Sequence, residues 1–504
     1  MSPPSDISAN LARKISFRFI LRSTDVVFTL IASVIVARLL GPEVLGTFSS
    51  ALAICMLFSL VANDGLGTAH LKIINSAEKD KKCLSSFITV KLCFIFLCIL
   101  LLLLHLRFSP LKNDSVYYSV LVICSAVVVI NQIAGIFIAN FDAHIDSKKS
   151  ESVTFLGSFV RNILKICFSM MSLGAIALGY AELSAVLITF AATAFLSRKY
   201  HFTRPSLSIM TTYAMLSLPL FINTFARGAV VSLDKAMIKY FFPTTFGNIE
   251  VGIYAAGQRL GSLIQFFSFI TAITLFPIFS NLSANGNFTR IKEIIINFEN
   301  TAIVILMPIV ISLAVFSLPI ILFLVGAEYR ASAAIMQITI LGLFGIMLFQ
   351  PYINFIIGGK NLILLGSLIH VIFLLTNIIL NFIFIPETVF GMKMMGWCSL
   401  GAALASTASY VILGVIAKMI ASKYIHVSTF KKYGYEFIFL IFISVLFIFI
   451  IDQYKLEKII HACFGIPVFL FLFWATVYIC KRDHFSKAIH NLEKIFPKSK
   501  SSIL

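Results

Sequence analysis

Arg161 and Lys165 stand four residues apart in an apolar run, on one face of any helix formed there, with no acidic residue within a turn of either. Arginine grips an oxyanion through two parallel hydrogen bonds, and lysine adds a compact charge. Arg22, Arg227 and Arg259 sit in other apolar runs. The chemistry that these five share is capture of an anion such as a phosphate, not the making of bonds. Acids are scarcer: Asp25 lies three residues after Arg22 and on its face, and Asp234 adjoins Lys235. Both are candidates for pairing or for coupling to an ion. Each assignment has a plainer alternative. Arg22 with Asp25 is then a structural pair, Lys235 snorkels to an interface beside Asp234, and Arg161 with Lys165 reaches the phosphates of ordinary lipids.

No catalytic constellation accompanies these residues. The nine cysteines lie singly, without a CxxC or Cys/His cluster. No phosphate-binding loop of the Gly-Lys-Ser/Thr type occurs, which excludes ATP hydrolysis by this chain. The chain is therefore expected not to be an enzyme and to need no metal or cofactor.

The elements that must hold these charges follow from composition. The 504 residues are 59% hydrophobic and 12% charged, against roughly 25% charged in a soluble domain, so the bilayer has to be the solvent. A crossing needs about 20 apolar residues. Such stretches run from Phe17 to Leu40, Val44 to Leu66, Cys83 to Leu106, Val116 to Asn140, Ser152 to Leu173 and Ala175 to Leu196. A basic link, Ser197 to Ser208, precedes six more: Tyr213 to Phe242, Val251 to Leu282, Ile294 to Val325, Ser332 to Ile357, Asn361 to Ile385 and Met395 to Ile420. Tyr435 to Ile451 and Ile459 to Ile479 follow, then a basic tail. The expectation is an all-α polytopic membrane protein of about fourteen transmembrane helices.

With an even number of crossings both termini share a side. Sorting Lys and Arg by that layout puts roughly 25 on the terminal side and about 8 on the other, which predicts a cytoplasmic N-terminus and C-terminus. The net charge of +18 thus reflects membrane orientation, and no nucleic-acid partner is expected. The first stretch lacks a short signal core and cleavage site and reads as an uncleaved helix. The outer gaps leave no room for a folded extracytoplasmic domain.

Two segments repeat. Glu43-Val-Leu-Gly-Thr-Phe48 opens the second stretch and Glu250-Val-Gly-Ile-Tyr254 the eighth, each with a glycine two residues before an aromatic. Each follows a stretch holding an intramembrane acid, Asp25 or Asp234. The offset equals six helices and a link. Six is even, so the halves share an orientation about an axis along the membrane normal, a repeat pattern of secondary transporters. The expected division is an N-lobe over 1–200, a C-lobe over 201–425, and two peripheral helices with a basic cytoplasmic tail over 426–504.

Three segments resemble the polysaccharide transporter, or Wzx-type flippase, branch of the multidrug/oligosaccharidyl-lipid/polysaccharide (MOP) exporter superfamily. They are Ala37-Arg-Leu-Leu-Gly-Pro42 through Gly46-Thr-Phe48 to Asp64-Gly-Leu-Gly-Thr-Ala69; Leu233-Asp-Lys235 with Val251-Gly-Ile-Tyr-Ala-Ala256 and Leu275-Phe-Pro-Ile-Phe-Ser280; and Gly326-Ala-Glu-Tyr329 with Gly401-Ala-Ala-Leu-Ala-Ser406. The resemblance implies two six-helix lobes around a cavity, moving a lipid-linked oligosaccharide between leaflets. Across the superfamily the cargo includes O-antigen and capsule units and, in a MurJ-like branch, a peptidoglycan precursor.

On that resemblance the five bases would line a cationic cavity for a lipid pyrophosphate while the prenyl tail stays in lipid. The implied location is the cytoplasmic membrane of a prokaryote. The implied partners are the lipid-linked oligosaccharide, membrane lipids, and a polymerase or glycosyltransferase machinery. Two other readings are an ion-coupled drug exporter, disfavoured because bases outnumber acids inside the spans, and a membrane glycan polymerase or ligase, disfavoured by the short outer gaps. Asn63, Asn131, Gln132, Asn223, Gln265, Asn354, Asn377 and Asn381 would bond sugar hydroxyls or hold helices together. Lys91 reads as a snorkelling anchor. Pro219, Pro277, Pro308, Pro319 and Pro351 are expected to kink their helices.

Overall fold

The computed structural model describes residues 4–62, 65–76, 82–144, 146–200, 203–360, 362–425 and 459–480. Long apolar runs become helices because a backbone surrounded by lipid must satisfy its own hydrogen bonds. The helices of the first half are α1 (Pro4–Ser59), α2 (Gly65–Ser76), α3 (Lys82–Phe108), α4 (Ser115–Ala143), α5 (Ser147–Met170) and α6 (Gly174–Leu196). They continue with α7 (Leu207–Phe241), α8 (Thr245–Gly261), α9 (Gln265–Ala284), α10 (Phe288–Thr301), α11 (Met307–Val315) and α12 (Ser317–Leu324). The last are α13 (Ser332–Asn354), α14 (Ile363–Phe384), α15 (Cys398–Ile425) and α16 (Ile459–Cys480). A hairpin of β1 (Thr388–Val389) and β2 (Met392–Lys393) joins α14 to α15.

The chain is an all-α polytopic membrane protein. Ten described segments are long and apolar enough to cross a membrane, and the first, Ile20–Ile74, contains two of the stretches read from the sequence. The eighth stretch is divided by a 3-10 turn, Ser262–Ile264, into α8 and α9. The fourteenth is α16, whose apolar part runs Ala462–Ala475. The thirteenth stretch, Tyr435 to Ile451, and the basic tail lie outside the described residues.

The breaks between helices have local causes. Gly41 takes φ 74° and ψ 172° immediately before Pro42. Proline disfavours helical geometry in the residue before it, and only glycine enters that positive-φ region without strain, so α1 kinks there without a loop. At its far end α1 runs into a 3-10 turn, Leu60–Ala62, and frees carbonyl groups. The Lys91 ammonium donates to the Ala62 carbonyl at 2.7 Å, and Gln132 Nε2 donates to that of Ser59 at 3.2 Å. Lys91 is thus buried among helices and does not snorkel.

Proline acts similarly further on. Pro308 follows a π-helical turn, Ala302–Leu306, and has no N–H to offer the carbonyl four residues back. The indole of Trp474 supplies that bond, donating to Val304 at 3.1 Å and tying α16 to the ninth stretch.

By its contacts the chain forms two compact units, 1–256 with 378–402, and 257–377 with 403–504. These are a different division from lobes at 1–200 and 201–425. The first unit packs α1 against α4, α5 and α7, α2 against α7, and α6 against α4 and α5. Its core includes Phe48, Phe87, Tyr117, Leu121 and Tyr213. The second packs α9 and α11 against α13, with α16 on α11 and α12.

Inside the first unit the two repeats touch through equivalent glycines. A Cβ on Gly46 would lie 1.6 Å from the Asn248 carbonyl oxygen and 2.7 Å from the Gly252 nitrogen. A Cβ on Gly252 would lie 1.9 Å from the Pro42 carbonyl oxygen. The contact is reciprocal and backbone to backbone, so neither side can yield by turning a side chain. Gly46→Ala and Gly252→Ala should each destabilise the protein by about 1–3 kcal/mol, as overpacking does. Thermal melts in detergent should show this against Gly135→Ala, where a methyl group meets nothing within 4 Å.

Candidate functional site

Two polar stripes face each other across α1 and α5. On α1 they are Arg18, Arg22, Asp25 and Thr29; on α5 Glu151, Ser158, Asn162 and, beside them, Arg161 and Lys165. Steps of three, four and seven keep each set on one helical face. Arg18 bonds Glu151, Ser158 donates to Asp25, and Asn162 Nδ2 donates to Thr29 at 2.9 Å. Each of these pairs is separated by 133 residues. A constant offset means that the two helices run parallel and in register, as the first and fifth crossings of an alternating chain must.

The charges within this register are paired. Arg22 clasps Glu151 with both forks, Nε to Oε2 at 3.2 Å and Nη2 to Oε1 at 3.0 Å. The Glu151 side chain is only 5% exposed, so its two arginines replace the water it has lost. At the rim Asp142 of α4 lies 4.0 Å from Arg18. Asp25 also accepts from Thr29 at 3.3 Å.

Lys165 and Arg161 meet an acid from α6. Lys165 Nζ donates to Glu182 Oε1 at 2.6 Å and stands 4.6 Å over the Phe48 ring. Arg161 Nη1 is 3.9 Å from Glu182 Oε2, and its Nη2 donates to Ser158 at 2.6 Å. The two bases, which have no acid nearby along α5, therefore share one carboxylate across a helix interface. Sequence reasoning missed Glu182 because it searched only the neighbouring turns. The available signal was that Glu182 is the only charged residue in α6.

Asp234 belongs to a separate group in the first unit. It is fully buried, accepting from the Tyr254 hydroxyl and, at 2.8 Å, from Asn381 Nδ2. Nearby in sequence, Lys239 is also buried; its Nζ donates to Asn248 Oδ1 at 2.6 Å and lies 4.6 Å over the Tyr117 ring. Glu250 accepts from the backbone and hydroxyl of Ser399 at 3.2 and 2.5 Å, in the first turn of α15. Of the five bases singled out by sequence, Arg22, Arg161 and Lys165 lie along the same helix interfaces, Arg22 on Glu151 and Arg161 with Lys165 on Glu182; Arg227 is exposed on α7 and Arg259 is exposed on α8.

The sequence model of the family described as "Polysaccharide biosynthesis protein" matches residues 35–334, more than half of the chain. The chain belongs to that family. Within the matched segment of this polysaccharide biosynthesis protein lie Arg161, Lys165, Glu182, Arg227, Asp234 and Arg259, while Arg22 and Asp25 precede it. Its fold is shared with solved membrane transporters. A lipid II flippase MurJ in an inward closed conformation superposes with TM-score 0.68 at 16% identity, over 92% of this chain and 99% of that one. An inward-facing multidrug resistance MATE transporter of the MOP superfamily gives 0.59 at 14% identity, over 80% and 94%. A mutant MATE transporter of Vibrio cholerae gives 0.54 at 15% identity, over 82% and 97%. No curated protein matches this chain by sequence.

In the second unit of this family member a smaller ionic group joins three helices. Glu299 accepts from the Tyr352 hydroxyl at 2.6 Å and from Lys418 Nζ at 3.1 Å. Several amides expected to face sugar or to hold helices take the second role. Asn354 donates to the Thr271 and Ala272 carbonyls at 3.4 Å, and Asn377 donates to Ser406 at 3.1 Å. Asn63 lies outside the described residues.

Lys165 and Glu182, with side chains 16% and 10% exposed, allow a double-mutant cycle. Lys165→Met and Glu182→Gln should each cost about 2 kcal/mol by stranding the other charge. The double variant should cost less than the sum, with a coupling of about 1–2 kcal/mol in detergent melts. Additive losses would show that the two charges do not interact.

Proposed function

We propose that this chain is a flippase that carries a polyprenyl-phosphate- or polyprenyl-pyrophosphate-linked oligosaccharide across the cytoplasmic membrane of a prokaryote. Its product would feed a cell-surface polysaccharide such as an O-antigen or a capsule. The observation that carries the reading is Arg161 in its network. A guanidinium has five N–H donors; here one serves Ser158, and the approach to Glu182 is a loose 3.9 Å with the side chain 31% exposed. Donors remain for an arriving phosphate, with Arg22 on the facing stripe and Lys165 one turn along.

Binding in this scheme is an exchange. A phosphate offers more negative charge than one carboxylate and competes with Glu182 for Lys165 and Arg161, which loosens α5 from α6 as substrate arrives. Such a displacement is one way for cargo to bias two states, since a ligand shifts an equilibrium only by its different affinity for each. Lobes 1–200 and 201–425 would rock in alternating access, with both termini cytoplasmic and the 426–504 helices peripheral. The reciprocal Gly46–Gly252 contact between repeats supports this scheme, because it is made of backbone and can part without freeing interlocked side chains. Arg227 and Arg259 complete the proposed cationic path, and Asp25 and Asp234, matched in the repeat, are the candidates for coupling to an ion.

The three carboxylates of the network favour one second reading, export of cationic molecules, since acids can receive a cation. The readings separate in a deletion strain. The flippase reading expects lipid-linked glycan to accumulate on the cytoplasmic leaflet; unchanged glycan with raised drug sensitivity would replace it with the exporter.

Replacing Arg161 and Lys165 together would strand Glu182, so the informative variant is Arg161→Ala, Lys165→Ala, Glu182→Gln. It should insert and melt near the parent temperature, yet transport at least about a hundredfold more slowly through loss of two charge-assisted contacts. Parent-level glycan export from that variant would remove these residues from the mechanism.

A further inference from the structure

Between α14 and α15 the chain forms a short antiparallel hairpin, with Thr388 opposite Lys393 and Val389 opposite Met392. The segment is firmly built. The backbone N–H groups of Met394, Met395, Gly396, Trp397 and Cys398 donate to carbonyls of Glu387, Ile383, Pro386, Phe384 and Ile385 at 2.8–3.1 Å. The Trp397 ring lies 5.5 Å from that of Phe384.

The turn itself is Phe390-Gly391, with φ of 49° and 80°. A two-residue turn with both φ values positive suits Asn-Gly, because Asn tolerates the left-handed region and bonds its own backbone. A bulky aromatic in that region is strained. Nor does the protein shelter the ring, since Phe390 is 94% exposed. Met392, Met395 and Trp397 are exposed alongside it. Backbone strain combined with an uncovered aromatic is a cost that folding does not recover, and such outliers point to function.

The patch continues an interface already present. On the last turns of α14, a helix long and apolar enough to cross a membrane, Ile379 and Phe382 are exposed, and the hairpin follows directly. Aromatic residues collect where hydrocarbon meets headgroups, and lysine reaches from there to water or phosphate. Lys393 and Glu387 supply the polar border.

We propose that this hairpin is an interfacial anchor that inserts Phe390 and Met392 into the phospholipid leaflet at the end of α14 and α15. With a cytoplasmic N-terminus that leaflet is the outer one. Because Glu250 of α8 holds Ser399 just beyond the hairpin, the anchor sets the membrane depth of that end of α8 as well. The inference depends on membrane placement and not on the cargo.

The chain has two tryptophans, Trp397 and Trp474, which makes fluorescence a direct test. Phe390→Trp with Trp397→Phe and Trp474→Phe is reconstituted in phosphatidylethanolamine–phosphatidylglycerol vesicles. Brominated acyl chains should quench the tip tryptophan and aqueous iodide should not. Quenching by iodide without quenching by bromolipid would overturn the anchor and indicate a surface for a protein partner. In Trp474→Phe, adding Phe390→Asn relieves the turn strain, so the melting temperature should hold or rise while bromolipid quenching of Trp397 is lost. Retained quenching would show that Phe390 does not set the depth, and would equally overturn the proposal.

Discussion

A charge surrounded by hydrocarbon must find its opposite, and that requirement organises the first half of this protein. The helix pair α1–α5 is registered by Arg18 and Arg22 on Glu151, Asp25 on Ser158, and Thr29 on Asn162. Apolar side chains alone would tolerate sliding, because lipid and a neighbouring helix are nearly equivalent to them. A slip of one residue turns a helix by about 100° and breaks every one of these contacts together. Glu182 then extends the constraint to α6. Charge thus supplies the specificity of packing, and small residues the closeness.

This division of labour determines what could be read from the sequence. Apolar length is a one-dimensional property, so most described helices fall on the expected stretches, with breaks at Gly41, at Ser262–Ile264 and at Phe316, while α2 occupies an expected gap. Bases in apolar runs are rare enough to notice, which exposed Arg22, Arg161 and Lys165. Their partners were harder. Glu151 sits among Lys148 and Lys149 at the start of α5 and reads as loop charge, whereas Glu182 is one interface and 17 residues from Lys165. Pairing across helices depends on rotation about each axis, which hydropathy does not encode. Lys91 was misread for the same reason: its neighbour is the freed carbonyl of Ala62, visible only once α1 is known to end there.

The repeat was legible as a pattern and not as a contact. Glycine two residues before an aromatic recurs at Gly46 and Gly252, and the structure brings Gly46 against the backbone of Asn248 and Gly252, and Gly252 against that of Pro42. Equivalent positions meet in this way when they lie near a pseudo-two-fold axis. The aromatic partners diverge in use. Phe48 offers its face to Lys165, and Tyr254 gives its hydroxyl to Asp234. The same short motif therefore sits beside a base in the first segment and a buried acid in the second.

The near balance of the α1–α5–α6 network bears on how an anion carrier could rest while empty. Arg18, Arg22, Arg161 and Lys165 face Asp25, Glu151 and Glu182, with Asp142 at the rim. A hollow lined only by bases would be costly to fold, since each unpaired ion in the membrane carries a penalty of at least about 2.5 kcal/mol. Resident carboxylates remove that cost, and a phosphate need only outcompete them. On the proposed reading Glu182 is then a placeholder for substrate: strong enough to hold α5 on α6 between cycles, and weak enough at Arg161 to be displaced.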